Sequence, residues 1–272
     1  MLDKITPIIL TFNEAANIRR TLTRLSWAER IVVVDSFSTD ETVSILREFA
    51  NVEIHQRKFD GHVQQWRFAA QEIAFPTPWL LRLDADYVLS NALIAELDQL
   101  RDDDRVAAYR IGFDYAIFGR KLAASLYPPK GILFRKGRFR IEDWGHTEGW
   151  IAEGPVKTLR STIVHDDHKP LEHWINSQLR YMEREKEVLK RRKSVSTWLR
   201  KHPPLMPIFV FFYCLFAKGL VFRGRDGLYY TLQRTIAEAV LSLLLLDVSL
   251  RPTEGIEIGN ESNTGKASSS LK

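Results

Sequence analysis

The chain holds one cysteine, Cys214, in 272 residues. A single thiol excludes an intramolecular disulfide framework and suits a reducing compartment. The opening residues, MLDKITPIILTFNEA, do not read as a secretory signal. Their apolar run is only about six residues long, ends in Asn13-Glu14, and leads to no small-residue cleavage site. The longest uncharged apolar stretch, 203–217, has about fifteen residues, short of the ~20 that cross a bilayer as a helix. There are no internal repeats. The formal net charge of +5 brings nucleic acid to mind, but no nucleic-acid recognition motif accompanies it. The charge is unevenly spread, with acids dominating 84–104 and bases gathering in 135–140 and 186–201. With 45% hydrophobic and 27% charged residues, the composition is that of a folded protein with one or two cores.

The first hundred residues alternate strand and helix patterns. Residues 6–11 form an apolar run, and a helical stripe follows at Ile18, Leu22 and Leu25. IVVVD, 31–35, is a continuous β-branched run, as expected for a strand buried on both faces of a parallel sheet. Ser38-Thr39-Asp40-Glu41 has capping-box spacing, which predicts a helix starting there with Val43, Leu46 and Phe49 inward. Further strands are predicted at 52–55 and 79–83. This order argues for an open, doubly wound sheet, whose ligands lie at the carboxyl ends of the strands. Thr11-Phe12-Asn13-Glu14, Asp35-Ser36 and Asp84-Ala85-Asp86 all fall at such ends. Residues 105–167 read as strand pieces broken by Pro128, Pro129 and several glycines.

A D-x-D tripeptide alone is weak, since most are solvated turns. At a strand end, Asp84-Ala85-Asp86 can offer one carboxylate to a hard cation and another to a ribose or a water. PIILTFNEAANI, IVVVDSFSTDET and WLLRLDADYVLS resemble, in order and spacing, the three successive signatures of glycosyltransferase family 2. The 59–70 stretch, with Gln65 and Phe68-Ala69, is similar to the Q-x-N-F-A segment of a subgroup that includes bacterial glucosyltransferases of the lipopolysaccharide inner core. The resemblance is strong over 5–95, thinner over 105–170 and only compositional beyond. It implies an α/β GT-A fold over 1–170, a Rossmann-like, mostly parallel sheet with flanking helices that binds a nucleoside-diphosphate sugar. Thr11, Asn13, Glu14, Gln65 and Asp84 are implied as donor contacts, Asp35 as the acid on uracil or ribose, and Asp86 as a ligand of Mg²⁺ or Mn²⁺. Glu14 has an alternative role at a helix N-terminus, and Asp35 as a turn acid. Tyr87 departs from the subgroup, which usually has a third acid there.

An inverting transfer needs a base for the acceptor hydroxyl. In RFRIEDWGHTEGW, 138–150, Glu142-Asp143 looks like the x-E-D element of GT-A enzymes, which makes Asp143 the first choice, Glu148 the second and Glu142 the third. Any of these acids can instead pair with the preceding arginines. His165, in IVHDDHKP, resembles the late histidine that completes the metal shell in many GT-A proteins, although a strand-end histidine can simply be hydrogen-bonded. Lys130 and Arg135 are candidates for the diphosphate. His146 reads as structural or as part of the acceptor site.

Beyond 170 the reading is helical. Residues 171–189 form an amphipathic helix with Leu171, Ile175, Leu179, Met182 and Leu189 on one side. The 203–217 and 228–246 segments are apolar, the latter carrying Arg234 and Glu238, and bases flank 203–217 on both sides. This predicts a helical membrane-associating region over 171–250, peripheral on the cytoplasmic face of the inner (plasma) membrane; a buried helix pair, a dimer interface and a hairpin through the membrane are the alternatives. Residues 251–272 read as a disordered polar tail. The expected activity is metal-dependent transfer of a sugar, with inversion, from a UDP or related donor to a lipid-linked or cell-envelope glycan. Two rivals are a nucleotidyltransferase and a non-catalytic membrane protein that kept the fold. The first lacks its glycine-rich basic loop after strand one, where TFNEAANIRR stands. The intact acids speak against the second.

Overall fold

The computed structural model describes residues 1–122, 124–143, 148–191 and 205–251. Strands β1 (Ile5–Thr11), β2 (Ile31–Asp35), β3 (Val52–Gln56) and β4 (Trp79–Asp84) form a parallel block, ordered β3-β2-β1-β4. Every residue of β2 is buried, because both of its faces are covered. The core on one face includes Ile9, Val33, Leu81 and Leu83 with helix α1 (Ile18–Thr23); the other has Ile8, Val32, Val34 and Leu80 under Trp66 and Phe134. Register sets the carboxyl ends level, with Thr11 opposite Asp35 and Leu10 opposite Asp84.

The sheet is less parallel than the sequence suggests. Strands β5 (Tyr87–Leu89), β6 (Ala108–Ile117), β8 (Lys130–Arg135) and β11 (Val156–His165) extend it in the order β4-β8-β6-β11-β5, with β7 (Arg120–Lys121) paired to β6. β8 runs antiparallel between β4 and β6, and β5 runs antiparallel to β11. The result is a mixed, parallel-rich sheet. β9 (Phe139–Asp143) and β10 (Glu148–Ala152) make a separate antiparallel hairpin.

The expected capping box at Ser38 does not form. Helix α2 (Thr42–Leu46) starts later, and Asp40 accepts the Thr42 backbone N–H at 3.0 Å. Ser38 is drawn off to Asp35, to which it donates from both its backbone N–H and its hydroxyl.

Helices α3 (His62–Arg67) and α4 (Asn91–Gln99) complete the first hundred residues, and the amphipathic segment forms one helix, α5, Leu171–Arg191. Only the distal part of its stripe is covered. Met182 and Leu189 pack on Ala237 and Leu241, whereas Leu171, Ile175 and Leu179 stay exposed. The apolar C-terminus forms a helix at Leu205–Phe212 and a longer one at Gly224–Leu250. Between them Gly219 and Gly224 take positive φ, 65° and 54°, which turns the chain by 72°. Among the described residues no single helix is long and apolar enough to cross a membrane; the bent pair as a whole passes that test by length and composition. These helices also pack against the sheet. Val210, Cys214, Leu220 and Tyr230 pack with Ile117 and Leu122, and Arg120 pairs with Asp226 at 2.8 Å. The tail 252–272, and most of the basic run 186–201, lie outside the described residues.

Candidate active site

A cleft of about 700 Å³ opens at the carboxyl ends of β1, β2, β4, β6 and β11. A smaller one of about 370 Å³ lies at the opposite ends, around Ile5, Arg30 and Thr77. It is lined by Asp3, Glu29 and Glu53 but by no histidine. Thr11, Glu14, Gln65, Asp84, Asp86, Lys130 and His165, seven of the sequence-predicted residues, line the larger cleft together.

Two other expected donor contacts serve the wall instead. Asp35 is fully buried and lies beneath the cleft lining. Its carboxylate accepts from Thr11 Oγ1 at 3.0 Å, from Ser38 N at 2.9 Å and from the Ser38 hydroxyl. Those bonds hold the Ser36–Ser38 turn, and the neighbouring Ser36 faces the cleft. Asn13, at φ 55°, accepts the Thr39 N–H at 2.8 Å and donates its own N–H to Ser38 at 2.9 Å. It clips the end of β1 to the β2 turn. Gln65, 1% exposed, donates to Ser36 Oγ at 2.8 Å and accepts from Arg57 at 2.6 Å.

Asp86 and His165 come together as the sequence implied. Antiparallel pairing of β5 with β11 sets Tyr87 opposite His165, and His165 Nε2 lies 3.0 Å from Asp86 Oδ2. Rings of Tyr87, Tyr115 and Tyr127 surround the imidazole at 5.4, 5.0 and 4.7 Å. Burial opposes charge on His165, but Asp86 and Asp84 outweigh it and hold its pKa above the ordinary value. For Asp84 burial pushes the pKa up, and it is overcome by Arg82, Lys130 and a hydrogen bond from Tyr87, so the carboxyl stays below its usual range. Tyr87, where the subgroup has an acid, is 2% exposed and shares a 2.6 Å hydroxyl contact with Tyr127. Lys130 donates to the same Tyr127 at 2.8 Å. A side chain that would carry charge is here a neutral link between Asp84 and Lys130.

Glu14 does not act through a helix terminus alone. Lys169 Nζ donates to it at 2.6 Å and Asn17 at 2.9 Å. Burial pushes the Glu14 pKa up to about 7, against the pull of Lys169 and with a further push from Asp86. Lys169 is itself held above its ordinary value: burial opposes its charge, and Glu14 and Asp167 outweigh that. The segment after β11 is fixed to α1 by Asn17 Nδ2 donating to Asp167 at 2.8 Å and by Arg20 donating to Asp166 at 2.7 Å.

The three candidate bases lie on the β9–β10 hairpin. Phe139 and Ile141 are buried on one face of β9, and side chains alternate. Asp143 therefore shares the inward face, while Glu142 points outward and pairs with Arg140 at 2.7 Å. Asp143 is exposed at the end of the strand and is not part of the cleft lining. The backbone of Glu148 is opposite Asp143 in the ladder; its side chain, and all of His146, lie outside the described residues. Arg135 departs from the expectation altogether. It stacks 4.4 Å from the Trp79 ring and pairs with Asp102 at 2.6 Å, at the end of β4 remote from Asp84.

Sequence reading missed Arg82, Tyr127, Tyr115, Lys169, Tyr230 and Arg234, all of which line the cleft. Arg82 had a visible signal, a lone cation inside the apolar strand WLLRLD. It is 8% exposed and lies between Trp66 and Trp150, 5.1 and 5.4 Å from their rings. The others come from distant segments that no local pattern connects.

A sequence model of glycosyl transferase family 2 matches residues 6–154. An uncharacterized glycosyltransferase of Rickettsia bellii is 38% identical over 112 residues, covering 40% of this chain and 37% of that protein. A lipopolysaccharide core biosynthesis glycosyltransferase, LpsC, of Rhizobium meliloti is 26% identical over 172 residues, 58% of this chain and 61% of LpsC. The matches thus span less than two thirds of these relatives. Among solved structures, TarS 1–349 of S. aureus in complex with UDP-GlcNAc superposes with a TM-score of 0.49 and 13% identity, over 86% of this chain and 79% of that one. Glucosyl-3-phosphoglycerate synthase of Mycobacterium tuberculosis with Mn²⁺, UDP and phosphoglyceric acid gives 0.43 and 11%, over 70% and 78%. With the family match extending over more than half of its length, this chain belongs to glycosyl transferase family 2.

Proposed function

We propose that the protein is an inverting glycosyltransferase that moves a sugar from a UDP-sugar to a lipid-linked or cell-envelope glycan. The observation that carries this reading is the convergence of Asp84, Asp86 and His165 at the strand ends of one large cleft. Among the described residues no group of three or more histidine, cysteine or acid side chains is arranged to hold an ion. A hard cation that draws most of its shell from phosphate and water needs few protein ligands, and the Asp86–His165 pair fits that demand. A bound Mg²⁺ or Mn²⁺ would neutralise the departing diphosphate. Lys130 and Arg82 flank Asp84 and add fixed positive charge for the same phosphates. Thr11, Ser36 and Gln65 form the wall on which the nucleoside rests. Asp143, at the exposed end of the hairpin strand, is the base proposed to take the proton of the acceptor hydroxyl.

The cell-envelope acceptor is suggested by the named role of LpsC and by the apolar C-terminus. Phe209, Phe212 and Phe216 are 56, 53 and 63% exposed and Phe222 is 89% exposed, with Arg223 and Arg225 exposed beside them. We infer that this face lies on the anionic cytoplasmic leaflet as a peripheral attachment. Hydrolysis of UDP-sugars with and without Mn²⁺ tests the reading. Metal-dependent release of UDP supports it, and no turnover of any nucleotide sugar counts against it.

A further inference from the structure

The C-terminal helix does more than extend an apolar face. Its Tyr230 ring lies 4.9 Å from Tyr115, which in turn lies 5.0 Å from His165, and Tyr230 accepts the Leu126 N–H at 2.8 Å. Arg234, one turn further along the same face, lines the active cleft. Helix α5 supplies the neighbouring wall with Trp174, Tyr181 and Arg184. Neither Arg184 nor Arg234 has an ion pair among the described residues, and Arg234 Nε is buried with no hydrogen-bond partner. The acids of this cleft are engaged elsewhere: Glu14 with Lys169, Asp86 with His165, Asp84 beside Lys130 and Tyr87, and Asp167 with Asn17 and the Lys169 backbone N–H. Two guanidiniums without an ion pair among the described residues line the same cleft wall as two aromatic rings, a surface that seeks an anion. Guanidinium matches phosphate with paired N–H donors, and aromatic faces suit the apolar side of a sugar ring.

Resting on the glycosyltransferase reading, we propose that α5 and the C-terminal helix form the acceptor subsite, in which Arg234, with Arg184, receives a phosphomonoester carried by the acceptor. Trp174 and Tyr181 pack against the adjoining sugar. Arg234 is then a specificity-determining residue, and the helical region is part of the active site as well as of the exposed apolar face.

The test uses the full chain saturated with UDP and Mn²⁺, so that phosphate probes are kept from the donor site. Calorimetry compares glucose 6-phosphate with glucose, and dodecyl phosphate with dodecyl glucoside below micelle formation. At least one phosphate should bind tenfold or more tightly than its neutral partner. The stronger of the two tells whether the group is recognised on a sugar or on a lipid headgroup. Arg234→Gln should abolish the preference, Arg234→Lys should keep part of it, and UDP affinity should stay within twofold in both. Equal binding of charged and neutral probes, or an undiminished preference in Arg234→Gln, overturns the proposal. A loss of UDP affinity in Arg234→Gln also overturns it, because it moves the residue to the donor. If UDP fails to bind the unaltered protein, the glycosyltransferase reading falls. The same four titrations without UDP then decide the anion subsite on their own.

Discussion

Glu14 should give the protein a measurable pH signature. Its pKa is about 7 in the fold against an ordinary 4.5, so the folded state binds this proton more tightly than the unfolded state. The stability that results is fully present below about pH 4.5 and is lost as pH rises through 7. The shift of about 2.5 units corresponds to roughly 3 kcal/mol in all, at 1.36 kcal/mol per unit. Between pH 5 and pH 8 some 2–3 kcal/mol of this should be lost, a sizeable part of a typical 5–15 kcal/mol stability. Glu14→Gln removes the titration and keeps the side-chain volume. It also deprives Lys169 of a partner, so its stability level is not diagnostic, whereas its slope is. Urea unfolding of both proteins in non-ionic detergent, at half-unit steps from pH 5 to pH 8, gives the two curves. The difference, mutant minus unaltered protein, should grow by roughly 2–3 kcal/mol toward pH 8. Parallel curves would show that Glu14 is already ionised at pH 5, which would refute the reasoning from burial.

Asp143→Asn should leave UDP affinity intact and slow sugar transfer by ~10²-fold or more, while Glu142→Gln, on the solvent face, should leave the rate near normal in the same assay. Trp150→Ala removes a ring packed on Trp66, Phe134 and Phe139 and set over Arg82; urea unfolding should show a loss of ~3 kcal/mol. In flotation with vesicles containing anionic phospholipid, full-length protein should rise with the lipid. The triple change Phe209→Asp, Phe212→Asp, Phe216→Asp should leave it at the bottom with an unchanged circular dichroism spectrum. Flotation of that variant would remove the apolar face from the attachment.

Much of the catalytic half was legible because its physics is local. A strand covered on both faces must be apolar throughout, and IVVVD and WLLRLD are so apart from Arg82 and their terminal aspartates. The terminal acids then mark the open edge of the sheet. Pairings across long stretches of chain were not legible. Glu14 and Lys169 are 155 residues apart and Asp86 and His165 are 79 apart; only family resemblance linked the second pair, and nothing linked the first. Asp35 looked like a ligand acid because it ends a strand, but whether such a carboxylate opens to the cleft or closes a turn depends on Ser38 and Thr11 reaching it. Arg135 looked like a phosphate contact until the antiparallel course of β8 carried it to the opposite end of the sheet, where Trp79 and Asp102 receive it. Arg234 read only as a charge within an apolar segment. Its place in the cleft lining is seen only once the helix is folded against the sheet.

The central claim is that Asp86 and His165 bind a nucleoside diphosphate through a divalent cation. Calorimetric titration of the full chain with UDP, in Mn²⁺ and in chelator, tests it most directly, alongside Asp86→Ala. Binding in Mn²⁺ should be lost both in chelator and in Asp86→Ala; UDP affinity that is indifferent to metal and unchanged in Asp86→Ala would rule out the metal assignment.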